Sequence, residues 1–507
     1  MRRVLQLSRL SGLLVTGFLS THAFAQEPTD AEQPTEEQKA EQPAPVAPAA
    51  TVAPDATVVA PAPVIAPAAR PKVGDMSAHG YFRGGFGANL NKKGRMTCFA
   101  LPNPKGLLSK YRLGNECEVW AELELTTVAY VGEDGSVASL HFMPVAFIPT
   151  TYIGYSPTGV TSSDLGSTGT GATVAFPNLY VDIKGISWLF GGTAWSGTRY
   201  YKRESIYISD FFYWNPSGVG AGIEDINLGK IWDSAPDVVR DLTFSYGVFA
   251  VDGEPNGNQG PQLPMITDLG IRNDFQVRGI RPYEGGELQI GFQYIKNWTN
   301  KNVDPPNGNK NTTDGWGVTV RHVQNVLGGD NKLVFQYGKG GGTGFGTLSR
   351  FYYPDFSIYH DPAESRLRVL DVITIQPTDW FGMQANVVYQ RDNTGTGNSD
   401  AVTQWYSAGG RLSLGVANHL KLLSEYGYDH AKKSNGAAPQ TLQKLTGAIA
   451  LAGANGFFGR PELRLFYTWA WWNDAVRGLP KHDSGDVYLG TNDLSGSLLG
   501  LQAEAMW

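Results

Sequence analysis

Residue patterns that commonly announce chemistry are sparse in this chain. The glycine-rich run Gly338-Lys339-Gly340-Gly341-Gly342-Thr343-Gly344-Phe345-Gly346 follows a strand-like segment and superficially suggests a phosphate-binding loop. Such a loop needs a fixed glycine–lysine spacing and a helix whose N-terminus faces the anion. Here the spacing fails and no helical pattern follows, so the run reads as a surface loop. No His-Glu-x-x-His or Cys-x-x-Cys pattern occurs and the 8 histidines are scattered, so no metal site and no cofactor is expected. The 47 acidic residues leave a glycosidase-type carboxylate pair open, because counting says nothing about separation. No residue is assigned a catalytic role. The only two cysteines, Cys98 and Cys117, are expected to form a disulfide in an exported chain, pinning a short loop.

Export is itself legible. Arg2, Arg3 and Arg9 make a basic start, Leu10 to Leu19 is an apolar run, and Ala23-Phe24-Ala25 gives a small-x-small cleavage site. Residues 1–25 therefore read as a signal peptide, the apolar run being shorter than the roughly 20 residues a helix needs to cross a bilayer. No later stretch has that length and apolarity, which excludes a bundle of membrane helices. A β-barrel stays open, since its lipid-facing residues alternate with polar ones and keep mean hydropathy low. A net charge of −6 over 507 residues leaves no basic footprint for nucleic acid.

Residues 26–75 form a separate segment. Glu27, Asp30, Glu32, Glu36, Glu37 and Glu41 make its start acidic, and Pro43 to Pro71 is rich in Pro, Ala and Val. Without aromatics it cannot bury a core, so it reads as a disordered, polyproline-like periplasmic linker. From residue 76 to 507 the period changes to two. Leu288, Ile290, Phe292 and Tyr294 alternate with Gln289, Gly291 and Gln293. Leu463, Leu465, Tyr467, Trp469 and Trp471 alternate with Arg464, Phe466, Thr468, Ala470 and Trp472. Successive strand side chains point to opposite faces, so one face is apolar and the other polar. Tyr294, Tyr337, Tyr389, Tyr426 and Tyr428 sit at the ends of apolar rows, where an interfacial girdle would lie. Turn clusters such as Asn307-Gly308-Asn309 and Asn393-Thr394-Gly395-Thr396-Gly397-Asn398 separate the runs. The fold class is all-β: a transmembrane antiparallel barrel with long extracellular loops. The competing fold is a soluble β-sandwich, which would turn its apolar face inward.

Three segments resemble the maltoporin family of carbohydrate-specific porins. They are His79-Gly80-Tyr81-Phe82-Arg83-Gly84-Gly85-Phe86-Gly87; Ser109 to Glu118 continuing through Trp120-Ala121-Glu122-Leu123; and Trp195 to Arg203 with Asp210-Phe211-Phe212-Tyr213-Trp214. Gly459-Arg460-Pro461-Glu462 is a weaker match. The 26–75 segment is similar only in position to the N-terminal extension of sucrose porins. The resemblance implies an 18-stranded barrel, a homotrimer in outer-membrane lipid, and location in the outer membrane of a Gram-negative bacterium with multiple crossings. It also implies passive diffusion of maltose, maltodextrins or related oligosaccharides. Roughly 430 residues over that number of strands leaves about 24 for each strand and its connection, enough for strands of roughly ten residues and long loops.

A sugar offers apolar ring faces and a rim of hydroxyls, so a selective channel needs aromatic platforms flanked by charged donors and acceptors. By resemblance, Tyr81, Trp120 and Phe458 match the aromatic ladder, and Arg83, Arg112, Glu122, Arg203 and Asp210 match the ionic tracks. Phe212 stands where the family has a constriction tyrosine. Met506 and Asp330 fall at ladder positions without being aromatic, and Pro177, Ser205 and Tyr207 depart from ionic positions. The ladder residue donated by a loop is not placed; Tyr152 and Tyr155 are candidates. Two alternatives therefore stay open: a general diffusion porin without a sugar site, and an exported β-rich carbohydrate-active enzyme.

Overall fold

Strands with apolar residues on one face and Arg, Glu and Gln on the other can bury neither face in an ordinary core. A computed structural model shows how this chain resolves the conflict. It describes residues 70–90, 94–96, 98–101, 110–149, 173–232, 234–252, 269–298, 314–344, 361–399, 401–477 and 493–507. The expected signal peptide, the linker up to residue 69, and Tyr152 and Tyr155 lie outside them.

The chain forms β1 (Met76–Asn89), β2 (Gly94–Arg95), β3 (Glu118–Val131), β4 (Val137–Pro149), β5 (Thr173–Ile186), β6 (Gly192–Arg199) and β7 (Glu204–Ile206). Next come β8 (Phe211–Trp214), β9 (Gly218–Asn227), β10 (Thr243–Asp252), β11 (Leu269–Ile280), β12 (Gly286–Trp298), β13 (Gly315–Val326) and β14 (Gly329–Lys339). The series ends with β15 (Ser365–Thr378), β16 (Phe381–Asn393), β17 (Val402–Ala417), β18 (Leu420–Lys433), β19 (Gln440–Ala452), β20 (Glu462–Trp472) and β21 (Ser495–Met506). Leaving aside β2 and the β7–β8 hairpin, 18 strands run antiparallel to their neighbours in one closed barrel. The seam is β1 against β21, in register from Tyr81 opposite Met506 to Asn89 opposite Leu498. No described residue is in an α-helix. Most strands have 12 to 14 residues and β17 has 16, longer than the expected ten; tilted strands continue past the apolar belt.

The barrel is inside-out relative to a soluble protein. Along β20, Leu463, Leu465, Tyr467 and Trp469 are exposed, while Glu462, Arg464 and Thr468 are buried on the inner side. In β12 the outward Ile290, Phe292 and Tyr294 alternate with the buried Gln289 and Gln293. That arrangement suits a bilayer outside and a polar lumen inside, and excludes the β-sandwich. The connections from β3 to β4, β5 to β6, β9 to β10, β11 to β12, β13 to β14, β15 to β16, β17 to β18 and β19 to β20 share one end of the barrel with the start of β1, most of them short; the alternate strand ends lie at the other.

Described residues of two long connections fold into the lumen: 98–101 with 110–117, and 200–217. Residues 98–117 are tied at their base by a Cys98–Cys117 disulfide with the Cα atoms 5.9 Å apart, as expected. Asn115 braces this loop by accepting from Phe99 N–H (2.7 Å) and donating to Phe99 O (2.9 Å) and Lys110 O (2.6 Å). Tyr111, with φ at 42°, lays its ring on the wall at Gly409 and Gly427, and its hydroxyl meets Ser407 Oγ at 2.9 Å. The second segment, 200–217, carries the β7–β8 hairpin. Arg368 Nη1 donates to Tyr213 O (3.1 Å) and Arg272 Nη2 to Ser217 O (2.9 Å), while Trp214 fills the space that a side chain at Gly291 would occupy. The two segments meet where Arg112 N–H donates to Ile208 O at 2.8 Å. Phe99, Leu101, Tyr111, Leu113, Ile206, Ile208, Tyr213 and Trp214 pack with wall residues such as Trp405 and Phe466. The apolar core of the protein therefore lies within its own lumen.

A Cβ at residue 427 would overlap the Tyr111 ring. Gly427→Ala is expected to displace the 98–117 segment while leaving the barrel closed. Single-channel conductance should rise, and the unfolding midpoint in urea should fall by an amount corresponding to roughly 1–3 kcal/mol of overpacking. Unchanged conductance and stability would contradict this packing.

Candidate functional site

Strand register gathers most of the residues singled out above. On the inner face, Tyr81 stands opposite Glu122 in β3 and Met506 in β21, and Arg83 stands opposite Trp120 and Glu504. The two layers are two residues apart, about 6.6 Å along the strands. Phe458 comes from the 453–461 connection at the short-turn end, where its ring meets Tyr207 edge-on at 5.3 Å. Phe458, Tyr81 and Trp120 thus follow one another along the axis, and all three are half-buried.

Trp120 is held on two sides. Its indole N–H donates to Glu122 Oε1 at 2.7 Å, and Phe147, directly across on β4, meets it edge-to-face with centroids 6.0 Å apart. Phe147 is a lumen aromatic that the sequence motifs did not single out; inward parity on β4, shared with His141, Met143 and Val145, was the available signal. The Arg83 guanidinium carbon lies 5.7 Å from the Trp120 ring centroid.

Arg83 and Arg112 lie behind this surface in a buried ionic layer. Arg83 pairs with Glu118 (2.7 Å), Asp210 (3.1 Å) and Glu116 (3.2 Å), and Lys110 joins Glu118 (3.2 Å) and Asp210 (3.3 Å). Arg112 pairs with Glu116 (2.6 Å) and Glu504 (3.2 Å) and donates to the Tyr81 hydroxyl. Burial opposes the charged form of Arg112, but Glu116, Tyr81 and Glu504 hold its guanidinium charged, well above arginine's usual range. Glu504 is the hub: it accepts from Tyr207 Oη (2.7 Å), Tyr81 Oη (3.1 Å) and Arg460 Nε (3.0 Å), and pairs with Arg464.

Tyr207, at a departure from the family pattern, fills the middle of this layer. It bonds Glu504 and Arg460, and Arg112, Arg411 and Arg460 stand 4.8, 5.3 and 5.5 Å from its ring centroid. Asp210 has φ at 51° and closes the turn Tyr207–Ser209, which aims its carboxylate at Arg83.

Arg203 and Glu122 differ from the buried ions. Arg203 is half-exposed, with its guanidinium carbon 3.3 Å from the Tyr200 ring centroid and 5.0 Å from that of Phe212. Among the described residues neither Arg203 nor Glu122 takes part in an ion pair. Arg203 and Glu122 therefore keep capacity for further hydrogen bonds. At the remaining departures, Met506 faces the lumen beside Tyr81, and Asp330 is buried in an ion pair with Lys332 at 3.2 Å. Pro177 lies within β5 and Ser205 within β7. Among the described residues no group of three metal-ligating side chains converges.

Several solved barrels are similar. Acinetobacter baumannii OccAB1 matches at 10% identity and a TM-score of 0.43, over 86% of this chain and 97% of its own. Salmonella typhi OmpF, in complex with daunomycin, matches at 9% identity and a TM-score of 0.43, over 86% and 98%. A trimer form of the Vibrio cholerae outer membrane protein OmpT matches at 11% identity and a TM-score of 0.38, over 86% and 100%. The LamB porin family model matches residues 76–507, the entire barrel, and the chain belongs to the LamB porin family.

Proposed function

We propose that this porin is a sugar-selective channel for the passive diffusion of maltose, maltodextrins or related oligosaccharides across the outer membrane. The observation that carries the reading is the axial file of half-buried rings, Phe458, Tyr81 and Trp120, with Glu122 bonded to the Trp120 indole and Arg203 stacked on Tyr200 and Phe212. Ring faces of a sugar would stack on the platforms while its hydroxyls donate to Glu122 and accept from Arg203. Each contact is shared with solvent, which keeps binding weak enough for release.

The buried ions are assigned a different part. Arg83, Arg112 and Asp210 hold the inward segments in place, and act on sugar through the shape they give the passage. Phe212 supports the Arg203 guanidinium as an apolar wall and contributes no hydroxyl. The exported chain is proposed to lose residues 1–25, to keep 26–75 as a periplasmic linker, and to assemble as a homotrimer.

Ion conductance in a planar bilayer, titrated with a maltodextrin series and sucrose, tests this. Stepwise conductance in threes with saturable block by one sugar class is the expected result. Conductance without block by any sugar would leave a general diffusion porin, and absence of conductance would favour the enzyme reading.

Trp120→Ala is expected to weaken sugar block by roughly tenfold, about 1.4 kcal/mol, while open-channel conductance stays the same or rises. Equal block constants for the two proteins would remove Trp120 from the sugar path. Phe212→Tyr restores a hydroxyl beside Arg203 and should tighten block by a few-fold, on the order of one hydrogen bond; a tyrosine that leaves the block constant unchanged would place position 212 outside the sugar's reach.

A further inference from the structure

The outer wall of β14 to β18 carries a pattern that sugar passage does not use. Val387, Leu412 and Leu422 make the lower part of this surface apolar and exposed. Toward the long-connection end an aromatic row crosses it. Tyr389, Tyr406 and His430 are direct cross-strand neighbours, with ring centroids 5.0 Å apart for the first pair and 5.7 Å for the second. Amphipathic rings at such a level mark the boundary between hydrocarbon and headgroups.

Two residues further along each strand the chemistry becomes cationic. Arg391 lies opposite Gln404, and Gln404 lies opposite Lys432. Parity puts all three on the outer face, since Gln390, Trp405 and Ala431 are buried inside. The two cations stand two strands apart, about 10 Å, at a height about 6.6 Å beyond the rings. Lys339 extends the group: it lies opposite Ser365, which lies opposite Asn393, so it stands on β14 two residues above the level of Arg391. Lys339 and Lys432 are exposed and Arg391 is half-buried.

Among the described residues none of the three takes part in an ion pair. Their outward neighbours Ser365, Asn393, Val402 and Gln404 carry no charge, and Asp392 faces inward to Arg366 at 2.7 Å. At the short-turn end the exposed Arg240 and Arg281 are instead matched by Asp237 at 2.5 Å and Asp241 at 3.0 Å. An unbalanced cation row just beyond an aromatic belt has the height and charge of a receptor for lipid phosphates.

We propose that Lys339, Arg391 and Lys432, with Gln404 between the last two, bind the phosphate groups of an outer-leaflet lipid headgroup. Tyr389 and Tyr406 seat the glycerol or sugar portion beneath. Arg391 supplies a planar fork for a phosphate and the lysines supply point charges.

Native mass spectrometry of the full-length protein after incubation with bisphosphorylated lipid A in detergent tests this. Lipid adducts are expected on the wild type, and at least about tenfold fewer on the triple variant Lys339→Gln, Arg391→Gln, Lys432→Gln. The charge-preserving variant Lys339→Arg, Arg391→Lys, Lys432→Arg should retain most of them, which separates lost charge from a failure to fold. Dephosphorylated lipid A should bind the wild type no better than the glutamine variant. Equal lipid A adducts on wild type and glutamine variant, or equal uptake of both lipid A forms, would overturn the proposal. Full displacement of the lipid by inorganic phosphate would overturn it in favour of a free-anion site.

Discussion

One fully buried carboxylate, Glu504, holds the interior of this barrel together. Arg464 on the wall, Arg460 from the 453–461 connection, Arg112 from the 98–117 segment and two tyrosine hydroxyls converge on its two oxygens. Desolvating a carboxylate is costly, and only a full set of partners offsets the cost. Those partners come from β1, β20, the 453–461 connection and both inward segments. The same charge therefore fixes where Tyr81 points, where Arg112 crosses the lumen and how far the β7–β8 hairpin descends. Satisfied networks of this kind are rigid, and loss of one member exposes the rest to uncompensated burial.

Rigid filling divides the lumen unevenly. Much of the inner wall from β13 to β20 is covered by Tyr111, Leu113, Ile208 and Trp214, and its Arg, Gln and Thr side chains are dry. The surface left to a solute lies mainly toward β1, β3 and β4, with Tyr81, Trp120, Phe147 and Glu122. The proposed sugar path is then a one-sided track. Met506 beside Tyr81 keeps that track apolar without an aromatic ring, since a thioether adapts its shape to what slides past. At Asp330 the position belongs to an ion pair with Lys332.

The parity of each strand was legible in the sequence, because a period of two assigns every residue to a face. Rows such as Leu463, Leu465, Tyr467 and Trp469 occupy the outer surface that their spacing implied. Motif resemblance singled out Tyr81, Arg83, Trp120 and Glu122, and strand register places them as neighbours. Depth was not legible. Arg83 and Arg203 look alike in a string of letters, yet one is surrounded by three carboxylates and the other is stacked between rings. That difference depends on how two irregular segments fold over the wall, and irregular backbone has no period to read. Tyr207 shows the same limit: it stood out only as a departure, and its role at Glu504 depends on a partner 297 residues away.

The seam has a consequence for how such a molecule comes into being. β1 closes the barrel only against β21, and Tyr81 meets Glu504 at a sequence separation of 423. Until that late strand emerges from synthesis, the earliest one presents an open hydrogen-bonding edge next to an apolar face. Non-local pairing of this kind forms slowly, and open edges invite pairing with other chains. Ring closure in sequence thus makes biogenesis a problem of custody: the polypeptide must be escorted unfolded until both ends of the sheet can be brought together at the bilayer.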